Sequence, residues 1–249
     1  METNITPETD LTNEINTKPL NLWQRIAGIL WSGPRKTFED IIAAPKLTGI
    51  IILLLVISLL IAILILPKIK EFTLEIFQIM PNTSSLPASA VSTAVTVAIV
   101  GALAGSIATP LISWVILAAL LSLFNSFTGG KASFKTLFSI CVYSYLPVMI
   151  ASIVKSGLIM SSPAQNMRDI STSLALFLPV DKINDRLYMF LSQIDPFFIW
   201  SLVLLALGSS LAMKVAFKKT AMYIGALWVL FIIAAVLLSG KASSVSIGM

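Results

Sequence analysis

Five stretches of this chain run for roughly the thickness of a bilayer with almost no charge: residues 47–66, 91–124, 136–160, 197–213 and 221–239. Crossing the hydrocarbon takes about 20 mostly apolar residues. Water cannot satisfy peptide groups there, so every N–H and C=O pairs inside its own segment and each stretch is read as a helix. The polar–apolar alternation of a membrane β-barrel is absent. Composition agrees: 57% of the 249 residues are apolar and 12% charged, against about 45–50% and roughly 25% in a soluble domain. Mean hydropathy is +0.92. A soluble monomer, a secreted disulfide scaffold and a disordered regulator are excluded. The expected fold is an all-α membrane protein, a bundle of five transmembrane helices with amphipathic interfacial helices.

The stretch 91–124 is 34 residues long, and a split at Thr109–Pro110 leaves a second piece of 14, too short to span. One long tilted helix, kinked at Pro110, fits better. Charge supports five spans with the N-terminus in the cytoplasm, where loops collect Lys and Arg. That topology puts ten basic residues inside (Lys18, Arg25, Arg35, Lys36, Lys46, Lys131, Lys135, Lys214, Lys218, Lys219) and six outside (Lys68, Lys70, Arg168, Lys182, Arg186, Lys241). A sixth span would move the Lys214–Lys219 cluster outside and narrow the split to nine against seven. The net charge of +5 therefore reports topology, and nucleic acid is not an expected partner because no basic face is interleaved with aromatics.

Between the spans the chain divides further. Residues 1–19 are polar and acidic, read as a disordered cytoplasmic tail without a cleavable signal. Residues 20–46 are read as amphipathic cytoplasmic helices. Leu22, Trp23, Ile26, Ile29 and Leu30 share one face with Arg25 toward the polar side, and Ser32-Gly33-Pro34 separates them from a second helix carrying Phe38, Ile41 and Ile42. They either lie in the headgroup region, anchored by Trp23 and Trp31, or cap the bundle. The membrane domain occupies 47–240, with an outer loop at 161–195. In that loop Ile183, Leu187, Phe190, Leu191 and Ile194 recur at helical spacing as a second surface helix, and Asp195-Pro196 reads as the cap and first residue of the fourth span.

Chemistry is sparse. Histidine is absent and Cys141 is the single cysteine, which removes His-based catalysis, His-ligated metals and an intramolecular disulfide. No phosphate-binding loop, zinc-protease signature or intramembrane carboxylate is present. Neither an enzyme nor a cofactor is expected. Lys155 is the one ionisable side chain within a span. Charge at membrane depth marks a functional candidate, but a lysine five residues before Met160 also snorkels to the headgroups. Tyr143, Tyr145 and Pro147 add hydroxyls and a kink to the third span, and Pro147 frees a carbonyl for a neighbouring hydroxyl.

Small residues supply the clearer pattern. Gly101 and Gly105 repeat at four-residue spacing with Ala98, Ala102 and Thr109 on the same side, as do Gly208 with Ala212 and Ala221 with Gly225. In lipid, close backbone approach at small residues drives helix association. These faces pack either within the chain or against a partner or second copy.

The layout resembles the Yip1 family. The resemblance rests on Trp31-Ser-Gly-Pro-Arg-Lys-Thr-Phe38 and Pro45 before the first span, and on Gly129-Gly-Lys-Ala-Ser-Phe-Lys135 with Tyr143-Ser-Tyr-Leu-Pro147 around the third. Ile194-Asp-Pro-Phe-Phe-Ile-Trp200 then opens the fourth and Lys214–Lys219 closes it. It implies five membrane helices with a cytoplasmic N-terminus. Eukaryotic members act in vesicle traffic with Rab-type GTPases, but their Asp-Leu-Tyr-Gly-Pro motif is missing here. The chain is more similar to bacterial members, some of which accompany ABC-type exporters in defence against antimicrobial peptides. No catalytic residue carries over.

The expected function is thus a non-enzymatic polytopic protein of a bacterial inner membrane, in contact with lipid and acting beside another membrane complex or by self-association. The alternative is an autonomous permease or channel along Thr109, Ser113, Ser139 and Ser144.

Overall fold

A computed structural model describes residues 19–79, 87–178 and 186–245. The polar tail, Ile183 and the acidic residues Asp181 and Asp185 lie outside the described residues. Among those described there is no strand, and five helices are long and apolar enough to cross a membrane. Two short helices come first, α1 (Leu22–Ala27) and α2 (Pro34–Ala43). The spans are α3 (Thr48–Ile79), α4 (Ala88–Phe127), the pair α5 (Phe134–Ser144) and α6 (Leu146–Ser161), α8 (Pro196–Met213) and α9 (Phe217–Val245). A short α7 (Arg186–Ser192) precedes α8.

The α5–α6 span is the centre of the bundle, with 56% of its most apolar stretch buried against 17% for α3. It packs on α3, α4 and α8, while α9 lies against α8 and α7. The continuous buried core runs through Trp114, Leu137, Ile140, Val142, Tyr143 and Leu204. Apolar side chains facing outward on α3, α4 and α9, such as Ile52, Val97 and Leu230, are what a lipid-facing helix carries.

Span ends depart from expectation, most clearly in α3. The first span does not stop at Leu66. α3 continues through Pro67 to Ile79. Proline removes one backbone bond and crowds the preceding turn, but packing on α4 and on the 3-10 turn Ala164–Arg168 holds the added turns. By contrast α4 does run unbroken through Pro110 for 40 residues, about 60 Å at 1.5 Å per residue. That is roughly twice the hydrocarbon thickness, so its N-terminal turns extend past the bilayer beside the end of α3.

The third span is interrupted at Tyr145, between α5 and α6, with Pro147 in the first turn of α6. The last carbonyls of α5 lose helical donors there. The Ser201 hydroxyl of α8 donates to the Ser144 carbonyl at 2.7 Å, so a neighbouring span repairs the break.

The two short N-terminal helices form a hairpin. A capping box of Asn21 and Gln24 opens α1, which runs into one π-helical turn, Gly28–Ser32. Gly33 turns the chain at φ 150°, a region that suits glycine, and Pro34 opens α2. α2 lies on α5 and α8, burying Phe38 and Ile41 completely.

Candidate functional site

Arg25 is the first surprise in the hairpin. Amphipathic spacing puts it toward the polar side; the structure instead leaves 1% of its side chain exposed. Its Nε donates to Asp40 Oδ2 at 2.7 Å, its Nη2 to the Ala44 carbonyl at 2.8 Å, and its guanidinium lies beside the Tyr143 hydroxyl. Asp40 also accepts from the Leu20 N–H, and Tyr143 donates to the Lys46 carbonyl at 3.4 Å. Arg25 is buried because the turn at Gly33 folds α1 and its π-helical continuation back along α2, which packs on α5, enclosing a face that would be wet on a lone helix. Burial is tolerable since the charge is paired and hydrogen-bonded. The only other described ion pairs, Arg35–Glu39 and Lys68–Glu71, are local to one helix. The Arg25 cluster thus fastens the hairpin to the membrane bundle.

The small-residue positions fall into different surroundings. A methyl group at Gly208 would meet Ile140 at 2.7 Å and the Phe38 ring at 2.9 Å, so α8 needs glycine where α2 and α5 approach it. Ala212 and Ala221 pack against the core. Gly101 and Gly225 have nothing within 4 Å of where a side chain would stand, and Gly105 meets only Thr109 of the next turn. Pro110 is buried. The α4 small-residue face is therefore not filled by this chain's described residues.

Lys155 is exposed on α6 and lines the rim of a cavity of about 720 Å³. α4, α6, α8 and α9 form its walls and the loop around Ser171–Ser173 and Ser192–Asp195 roofs it. α4 and α9 are clasped where Tyr223 donates to the Leu120 carbonyl at 2.8 Å and stacks on Phe124 at 4.3 Å between centroids. Toward the roof the cavity fills the space between them. Its deep end is walled by the buried Leu121, Leu205 and Ile224. Its roof is polar, but Asp195 there is engaged. One carboxylate oxygen accepts the Phe197 and Phe198 N–H groups as the cap of α8, as the Asp-Pro pair predicts, and the other accepts the Thr172 hydroxyl. Beside the roof, burial and the Asp169 carboxylate push the Tyr188 phenol up, so it stays neutral at physiological pH.

Of Thr109, Ser113, Ser139 and Ser144, Ser113 alone lines this cavity. Ser139 and Ser144 are buried in the core and Thr109 is exposed, so they do not line one path. Tyr143 belongs to the hairpin junction, and Tyr145 sits edge-on to Trp114 at 5.5 Å. Asp195, Gln193, Thr172 and Trp228 reach the cavity from segments far apart in sequence, and only the Asp195 cap left a local signal. Cys141 is buried and free. Among the described residues no three His, Cys, Asp or Glu side chains converge as metal ligands.

The Yip1 domain family model matches residues 27–238. No curated protein and no solved structure matches the chain.

Proposed function

The chain belongs to the Yip1 domain family, and from that premise we propose that it works without catalysis, as an accessory or assembly partner of another membrane complex such as an ABC-type exporter in antimicrobial-peptide defence. It sits, in this reading, in a bacterial inner membrane with its N-terminus in the cytoplasm. The observation that carries the partner role is the α4 face around Gly101 and Gly105, where a side chain would meet open space or only Thr109. Small residues at helical spacing let a second helix backbone approach closely, and the described residues of this chain supply none there. The exporter as partner rests on family resemblance alone.

Crosslinking in the native membrane, followed by mild solubilisation, affinity purification and mass spectrometry, tests it. The expected recovery is an ATPase, a permease and an extracytoplasmic adaptor in stable ratio, lost in Gly101→Leu and Gly105→Leu variants that still fold. Recovery of the chain alone sinks the proposal.

The cavity is the one observation favouring a permease. Its walled deep end argues against a continuous path. Purified protein in liposomes is expected to give flux equal to empty liposomes; flux abolished by a change at Lys155 or Pro110 reverses the choice.

A further inference from the structure

We propose that the cavity between α4, α6, α8 and α9 binds one anionic membrane lipid, its phosphate at Lys155 and its acyl chain in the apolar depth. The site is independent of the partner reading.

Three observations converge. The cavity is amphipathic along its length: hydroxyl and amide groups of Ser171, Ser173 and Gln193 stand at the roof, and Leu120, Leu202 and Leu227 stand below them. Its volume of about 720 Å³ falls within the range of about 300–1,000 Å³ typical of small-molecule sites. Two of its walls, α4 and α9, are spans that pack little on each other outside the Tyr223 clasp, so a bilayer molecule would enter between them.

The charge at the polar end selects the headgroup. Lys155 has no carboxylate partner among the described residues. Asp195, the one carboxylate lining the cavity, is occupied by two backbone N–H groups and Thr172. It also offsets the positive end of the α8 dipole. An unpaired cation beside a carboxylate whose oxygens are already hydrogen-bonded favours a phosphate over a choline or ammonium group. Lys155 lies six residues before the end of α6, about 9 Å of helix, which is the depth at which a lysine head reaches phosphates.

The test is lipid retention by the purified full chain, counted by native mass spectrometry after equilibration in micelles containing equal phosphatidylglycerol and phosphatidylcholine. The expected result is one phosphatidylglycerol per chain, preferred by at least roughly fivefold, the factor for one lysine near anionic lipid. Lys155→Gln should bring the ratio to about one while Lys155→Arg keeps it, and Leu227→Trp should abolish retention of both lipids. Size-exclusion profiles identical to the parent show that each variant is folded. Equal retention of the two lipids by the parent, or a preference that survives Lys155→Gln, overturns the proposal. So does glycerol phosphate competing as well as the full lipid, which makes the site one for a free anion. A partner helix recovered in the cavity, with lipid absent, also overturns it.

Discussion

Arg25 and Asp40 stand fifteen residues apart, and nothing in either helix alone announces that they meet. Sequence spacing reads one helix at a time, so it sends Arg25 to the polar side; the turn at Gly33-Pro34 then encloses it between α1, α2 and α5. Removing one member of a buried pair leaves an uncompensated charge, at a cost of about 3–5 kcal/mol. Asp40→Ala is therefore expected to lower the midpoint of thermal unfolding in detergent sharply, and Arg25→Met with Asp40→Leu to recover most of the loss. A single variant as stable as the parent would show the cluster contributes nothing. Glycine makes the same point with opposite signs. Gly208→Ala forces a methyl into Ile140 and Phe38 and should cost about 1–3 kcal/mol. Gly225→Ala meets open space and should be neutral or gain from the better helix former. Both glycines sit in the same small-residue spacing, and only packing separates them. Lys155 was legible as the lone cation in a span. Asp195, Gln193 and Trp228 were not legible as its neighbours, because the cavity exists only once four spans and a loop converge.

At the scale of the element, existence and type were readable because a bilayer imposes a length and forbids unpaired peptide groups. Ends were less readable. Residues after Pro67 carry Lys68, Lys70, Glu71 and Glu75, so an apolar window stops there, while tertiary packing carries α3 on to Ile79. The break at Tyr145 was half readable: Pro147 marks it, but Ser201, the residue that satisfies the exposed carbonyl, lies 57 positions from Ser144. Hydrogen bonds between membrane helices average about 0.6 kcal/mol, so Ser201→Ala should destabilise the chain measurably but modestly. Tyr223→Phe tests the clasp between α4 and α9 without removing the ring that stacks on Phe124. It should cost a similar amount in chemical unfolding, and Tyr223→Ala more, since the stacking is lost as well. Equal effects of the two would mean the hydroxyl alone fastens the helices.

For the whole molecule, five spans put the two termini of the membrane domain on opposite faces, and charge decides which face is which. The hairpin, the α4–α5 turn and the α8–α9 turn share one face, because α2 packs on α5 and α8 near where one begins and the other ends. That face gathers Arg25, Arg35, Lys36, Lys46, Lys131, Lys135, Lys214, Lys218 and Lys219; the opposite one has Lys68, Lys70, Arg168, Arg186 and Lys241 among its described residues. Lys and Arg in short loops hold their side in the cytoplasm during insertion. The fold alone is indifferent to this choice, since a bundle and its inverted insertion make the same internal contacts, so orientation is argued from charge and tested in cells. Ala216 and Ser161 are exposed at the two faces, and Cys141 is buried enough to stay silent. An impermeant maleimide added to intact cells is expected to label Ser161→Cys and to reach Ala216→Cys only after permeabilisation. The reverse pattern refutes the orientation, and would turn the lipid cavity toward the cytoplasmic leaflet, because its roof lies on the Ser161 side of the bundle.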